Sequence, residues 1–215
     1  MILKVDLKNA FNMVSRRKML EIVVQDFSDI ARWCYWCYGG TEGSHLWFDR
    51  WVLQSLEGVQ QGDPLGPLLF SMVIHRVIAE IHQQCPNLPL NKWYLDDGIM
   101  GGSTDDIARA LTIIEKLGPN LGLNLNLAKC ELIYMSTPCG PMERDPFPSQ
   151  IKRLYQNFEI LGIPIGDAQF CSKYVRDKCS FSAFRAIDAI TTLDDPQVTQ
   201  MLLRLCDHIA KLFTS

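Results

Sequence analysis

Apolar residues recur along the chain with two periods, and the switches between them mark out the elements. Residues 2–5 (ILKV) read as a buried strand that ends on an acid, Asp6. Ser15 is placed as an N-cap, with Met19, Leu20, Ile22, Val23 and Val24 behind it at helical spacing. Ser28 or Asp29 restarts a helix through Ile30, Trp33, Cys34 and Cys37, and Gly39-Gly40 stops it. Residues 45–48 and 51–56 alternate around Asp49-Arg50 and predict a hairpin. A glycine-punctuated loop, 58–64, follows, with Asp63 placed to cap and Pro64 in the first turn of a mostly apolar helix over 65–84. With so few polar positions, that helix is expected to be buried on most of its circumference.

Pro86 and Pro89 lead to two short apolar runs, 93–95 and 99–100, that flank Asp96-Asp97-Gly98. They predict a tight hairpin with both aspartates at its tip. Thr104 reads as the cap of an amphipathic helix over 105–121, with Ile107, Leu111, Ile114 and Leu117 on one face and Gly122 at its end. Residues 123–127 alternate, 132–134 are apolar, and 136–149 hold four prolines and read as a surface loop. Residues 161–166 predict a strand and turn. Beyond them the chain turns helical, with Phe170, Tyr174, Phe181, Phe184 and Ile187 in one region. A last helix starts at Asp194-Asp195-Pro196 and carries Val198, Met201, Leu202, Leu205, Ile209 and Leu212. This order predicts an α+β fold, an antiparallel sheet with helices packed on one face.

The pattern places acids at strand ends. Asp6 closes the first strand and Asp96-Asp97 tip a hairpin, so an antiparallel sheet can bring three carboxylates together. Neighbouring like charges repel, and a divalent cation is the plainest partner for them. Mg²⁺ prefers hard oxygen ligands, one or two of them carboxylates, with substrate phosphates completing the shell. Without the other motifs, an exposed turn is the favoured reading of Asp96-Asp97-Gly98.

Composition narrows the classes. The chain has 215 residues, 47% of them hydrophobic, enough for a sizeable core with a small appendage. A net charge of -3 and a pI near 5.8 exclude nucleic-acid binding by bulk charge, so any such contacts must be local. Charge enters the sequence at Lys4 and Asp6, which is not a signal-peptide pattern. The longest apolar stretch, 65–81, is interrupted by His75, Arg76 and Glu80, so no membrane span or membrane partner is expected. Eight cysteines lack a disulfide-rich pattern and suit a reducing compartment. Cys34 and Cys37 have zinc-like spacing, but no second pair completes a site, and the same spacing fits one helix face.

Five segments in order carry a resemblance: 3–11 (LKVDLKNAF), 58–70 (GVQQGDPLGPLLF), 94–98 (YLDDG), 122–131 (GLNLNLAKCE) and 161–166 (LGIPIG). Together they resemble the palm domain of reverse transcriptases, most closely those of non-LTR (LINE-like) retrotransposons. The resemblance implies a palm with its primer-grip-like strand over 1–166 and the start of a helical thumb over 167–215. It implies two-metal transfer of a dNTP onto a primer 3′-hydroxyl, with RNA template, DNA primer and two Mg²⁺ ions, Mn²⁺ being a possible substitute.

Residue by residue, Asp6, Asp96 and Asp97 match the catalytic metal ligands, helped by the carbonyl of Leu7. Phe11 matches the sugar-selecting position; from the residues alone it is equally a core phenylalanine. Gln61 and Gly62 match a loop against the incoming nucleotide, which otherwise is a helix-capping loop. Tyr94 matches a residue near the primer terminus and is otherwise a strand aromatic. Lys129 matches a lysine near the pyrophosphate that acts as general acid, and is otherwise a solvated lysine. Leu161, Gly162, Pro164 and Gly166 resemble the primer grip.

Met1 precedes Asp6 by few residues, so the family's basic fingers are expected to be missing, along with the endonuclease and the rest of the thumb. A fragment of a longer polyprotein is the expectation, nuclear if it acts as the family does. An inactive remnant that folds and at most binds RNA or a partner is the alternative. Other polymerases of this architecture, such as intron-encoded reverse transcriptases or viral RNA polymerases, fit less well. YLDDG and Phe11 favour DNA synthesis, and 161–166 favours the LINE-like branch.

Overall fold

The computed structural model describes residues 1–40, 44–135 and 145–205, with backbone alone at some positions of the second strand and the last two helices. The elements run β1 (Ile2–Val5), α1 (Ala10–Met13), α2 (Arg16–Asp26), α3 (Ser28–Tyr38), β2 (Ser44–Phe48), β3 (Trp51–Ser55), α4 (Gly66–Gln84), β4 (Leu90–Tyr94), β5 (Asp97–Gly101), α5 (Thr104–Leu117), a 3₁₀ turn (Pro119–Leu121), β6 (Glu131–Tyr134), β7 (Lys152–Tyr155), β8 (Phe158–Ile160), β9 (Ile163–Ile165), α6 (Ala168–Thr191) and α7 (Pro196–Leu205). They form two compact units, Met1–Tyr155 and Gln156–Ser215.

In the first unit, five strands are ordered β4-β5-β1-β6-β7. β1 pairs antiparallel with both β5 and β6, placing Leu3 beside Met100 and Leu132. All three side chains are fully buried, and they share one core with Leu69, Phe70, Val73 and Val77 of α4 and Ile107, Leu111 and Ile114 of α5. One sheet face is therefore covered by helices, as the apolar periods predict. Each such aliphatic side chain contributes about 1.5–3 kcal/mol by leaving water. The alternate residues Lys4 and Asp6 belong to the other face.

Local signals set most boundaries. The Ser15 hydroxyl accepts from the Lys18 amide and starts α2. β4 and β5 are joined by two residues, Leu95 and Asp96, so Asp97 belongs to the strand and Asp96 to the turn. Leu95 holds φ at 56°, a left-handed value strained for a residue with a Cβ. Gly98 lies beneath the Trp93 indole, and a Cβ there would meet the ring at 2.6 Å. Glycine in this sequence therefore answers to a cross-strand tryptophan as much as to a turn.

Several expectations need correcting. The sheet is mixed, because β7 runs parallel to β6. Asp63 does not cap α4: Leu65 does, Pro67 rather than Pro64 sits in the first turn, and Asp63 Oδ1 instead accepts from the Leu65 amide at 2.9 Å. α4 buries one side and leaves Leu68 half-exposed. The cap of α5 is Ser103, bonded to the Asp106 amide, because Thr104 is already helical. That helix ends at Leu117, and Pro119 converts the next turn to 3₁₀ before Gly122 reverses the chain at φ 78°. Residues 123–127 form a single bridge, Leu125 to Leu7, instead of a strand. Of the proline-rich loop, 136–144 lie outside the described residues, as do Ile209, Leu212 and the side chains of Phe181, Phe184, Ile187 and Leu205.

The second unit opens with the β8–β9 hairpin, turned by Leu161 at φ 48° and Gly162 at φ 81°. Asp167 then caps α6 by accepting from the Phe170 amide at 2.7 Å.

Candidate active site

Asp6 leaves β1 at the edge of the packed core. The register that pairs Val5 with Gly98 sets Asp6, one residue on, across from Asp97. The backbone of Asp6 is fixed from below. Its amide donates to Cys130 Sγ at 3.4 Å, the same thiol faces its carbonyl at 3.7 Å, and that carbonyl accepts from the Asn126 amide at 2.9 Å. The side chain is not so held: Oδ1 is buried without a hydrogen-bond partner. A buried, orphaned carboxylate oxygen is costly by itself, and its chemistry suits a cation ligand.

Asp97 has its carboxyl pushed above the ordinary range by burial, then by the neighbouring Asp96 charge, with Lys4 opposing and Asp6 adding to it. Asp97 thus feels the charge of both other acids. Among the described residues, however, no three His, Cys, Asp or Glu side chains are gathered into a ready metal cage. On the same face Glu131 takes Lys4 at 3.6 Å and Lys152 at 3.2 Å.

The raised Asp97 value carries a stability consequence. Ionisation of Asp97 penalises the folded state. The penalty is absent below the ordinary value of 3.8, grows as pH rises towards the folded-state value, and is complete above it. In metal-free buffer at neutral pH, Asp97→Asn is expected to melt higher than the wild type, with the gap closing as pH falls through that window. Equal melting temperatures across the range would contradict it.

Beside the carboxylates lies a cavity of about 510 Å³, lined by Asn9, Ala10, Phe11, Gln60, Gln61, Gly62, Asp63, Pro67 and Asp96. Four of the residues singled out in the sequence, Phe11, Gln61, Gly62 and Asp96, meet here. Phe11 is stacked on Phe70 with centroids 4.5 Å apart, so its ring is braced by the core while its residue borders the cavity. Phe11 thus packs as a core phenylalanine does, and its residue also lines the cavity. Gly62 sits at φ 92° with nothing near its missing Cβ, so backbone conformation is the demand at that position.

Leu7 and Lys129 are tied to this site through backbone. Lys8 donates to the Asn124 carbonyl and Asn126 to the Asp6 carbonyl, so the bridge leaves the Leu7 carbonyl out of its two bonds. Lys129 is exposed, and its amide closes the turn that starts at Asn126. Tyr94, opposite Asp97, is 67% exposed and does not line the cavity. Leu161, Gly162, Pro164 and Gly166 lie in the second unit. There a Cβ at Gly166 would run into the Asn157 amide, and the Tyr174 hydroxyl donates to the Gly162 carbonyl.

The sequence did not reveal what holds the cavity wall. Arg16, 5% exposed, donates from Nε to the Gly58 carbonyl at 2.7 Å and from its guanidinium to the Ser55 carbonyl and hydroxyl. Burial lowers its pKa. Its guanidinium lies over the Tyr38 ring at 5.3 Å. Tyr38 in turn donates to Asp63, and burial followed by that bond pushes its phenol upward. No local pattern encodes these contacts. Arg16 reads as an ordinary first-turn residue and Tyr38 as a helix end.

The sequence model of the family described as reverse transcriptase (RNA-dependent DNA polymerase) matches residues 1–165. The chain belongs to the reverse transcriptase family. The chain is similar to the retrotransposable element SLACS 132 kDa protein of Trypanosoma brucei gambiense, 28% identical over 159 residues. The match covers 72% of this chain and 13% of that protein. Two solved structures also align. Apo telomerase from Candida tropicalis, truncated from its C-terminal domain, gives a TM-score of 0.49 at 12% identity, covering 77% of this chain and 33% of that one. Telomerase from Candida albicans, in complex with a TWJ fragment of telomeric RNA, gives 0.49 at 11% identity, covering 95% and 38%. The chain thus spans a small part of the relative's length. Among the described residues no helix is long and apolar enough to cross a membrane.

Proposed function

We propose that this chain is the palm, with the start of a thumb, of an RNA-directed DNA polymerase that copies retroelement RNA. The palm would run over 1–166 and the thumb from 167. The observation that carries this is the cavity where Phe11, Gln61, Gly62 and Asp96 meet, together with the orphaned carboxylate oxygen of Asp6, which stands across from Asp97 in the sheet. Asp6, Asp96, Asp97 and the Leu7 carbonyl would hold divalent cations, Mg²⁺ foremost and Mn²⁺ as a substitute. Such ions lower the pKa of a bound hydroxyl and offset charge on a leaving phosphate.

The chain's own residues do the rest. Gln61 hydrogen-bonds the incoming dNTP, and Gly62 lets backbone approach it. Phe11, braced by Phe70, lies beneath the sugar and leaves no room for a 2′-hydroxyl. Tyr94, exposed at the end of β4, supports the primer terminus, whose 3′-hydroxyl attacks the α-phosphorus. Lys129 donates a proton to the departing pyrophosphate. Leu161, Gly162, Pro164 and Gly166 hold the primer strand, and template RNA completes the duplex. Fingers and endonuclease regions of a longer polyprotein would be its partners in copying.

Phe11→Val tests the reading at its most specific point. It is expected to raise rNTP relative to dNTP use on the order of a hundredfold in primer extension, with Tm lowered by cavity formation against Phe70. Unchanged discrimination would remove Phe11 from the nucleotide site.

A further inference from the structure

We infer that Tyr38 is a positioning residue for the nucleotide pocket, an inference that rests on the polymerase reading above. The cavity wall is the four-residue turn Gln60–Asp63, closed on itself by the Asp63 amide donating to the Gln60 carbonyl at 3.2 Å. A single phenol grips both ends of that turn. The Tyr38 hydroxyl donates to Asp63 Oδ2 and accepts from the Gln60 amide at 3.3 Å. The second carboxylate oxygen of Asp63 is committed to the Leu65 amide, which ties the turn to the start of α4.

Between the gripped ends lie Gln61 and Gly62, the residues presented to the cavity. The phenol has little freedom. Tyr38 is 4% exposed at the last position of α3, and Arg16 packs over its ring while holding the Gly58 carbonyl two residues upstream of the turn. Two bonds from one hydroxyl therefore set where Gln61 stands relative to Phe11 and Asp96. Tyr38 itself does not line the cavity, so it acts through the turn. Its effect belongs to nucleotide affinity and leaves the carboxylates untouched.

Tyr38→Phe keeps the ring and the Arg16 contact and deletes both bonds. Two readouts on the full chain test it: hydrogen–deuterium exchange of the peptide spanning 58–65, and calorimetric titration with dTTP and Mg²⁺. The expected result is about three- to tenfold faster exchange in that peptide and about three- to tenfold weaker dTTP binding, with exchange elsewhere unchanged. A merely structural tyrosine would lower Tm and speed exchange along α3, with dTTP affinity intact; that result, or no change in either readout, overturns the inference. If Tyr38→Phe does not fold, Asp63→Asn decides. Its amide still accepts from Leu65 but no longer offers a carboxylate to the phenol, and the same two changes are expected. If the wild-type chain binds no dTTP, the nucleotide reading fails separately. The grip on the turn is then judged by exchange alone, a rise upholding it and no rise ending it.

Discussion

Replacing Asp96 by asparagine is expected to lower Mg²⁺-dependent primer extension on the order of a thousandfold or more. Asp96 sits in the two-residue turn between β4 and β5 and borders the cavity. Asparagine is nearly isosteric and suits a turn, so backbone and cavity should persist. What changes is charge. A neutral amide cannot offset a cation, and on the proposed function that would fall to Asp6 and Asp97 alone. Folding should be nearly unaffected, within about 0.5 kcal/mol. Full activity in the variant would remove Asp96 from catalysis, whereas loss of activity with a collapsed melting curve would show only misfolding. The comparison therefore needs both measurements on one preparation.

The second large effect concerns stability. Gly58→Ala is expected to cost about 3–5 kcal/mol, visible as a fall in Tm of roughly 10 °C. A Cβ at Gly58 would stand 2.5 Å from the Cα, carbonyl carbon and oxygen of Asn12, all backbone atoms. The residue also holds φ at 77°, which costs about 1–2 kcal/mol for any L side chain. Retreat is blocked on both sides. The Gly58 amide donates to Val14, the Val59 amide to Phe11, and the Gly58 carbonyl accepts from buried Arg16. Moving the loop breaks at least one of these bonds, and an unpaired buried Arg16 adds about 1–3 kcal/mol. Gly62→Ala is the contrast. Its φ of 92° is as unusual, yet nothing lies within 4 Å of the added carbon. It should cost only about 1 kcal/mol. Equal losses for the two variants would show that conformation alone matters here and that the close packing of loop on α1 does not.

These two glycines show which part of the molecule could be read from sequence. Local rules were legible. Ser15 caps α2, the apolar face of α5 is buried through Ile107, Leu111 and Ile114, and the tight turn at Asp96 follows from short strands around an Asp-Asp-Gly triplet. Ordered motifs gave the family, and four of the residues they singled out, Phe11, Gln61, Gly62 and Asp96, line the cavity. Where two adjacent residues could both cap, as at Ser103 and Thr104, chemistry alone did not choose between them. Long-range partners were not legible. β7 is four residues with two charges, and its pairing with β6 is set by tertiary packing across the proline-rich connection. Cys130 under the Asp6 backbone joins residues 124 positions apart. Arg16, a charge inside the core, contradicts its own composition until Ser55 and Gly58 are placed beside it. In each case the missing information was which distant segment covers a residue, and periodicity does not carry that.

On the proposed function, Asp6, Asp96 and Asp97 together would hold divalent cations at the mouth of the Phe11–Gln61 cavity. Anomalous diffraction from crystals soaked with Mn²⁺ and dTTP locates those ions directly. The expected map places manganese within bonding distance of the Asp6 and Asp96 carboxylates, with the triphosphate extending into the cavity. Manganese bound elsewhere, with these carboxylates empty at saturating metal and nucleotide, would contradict the account.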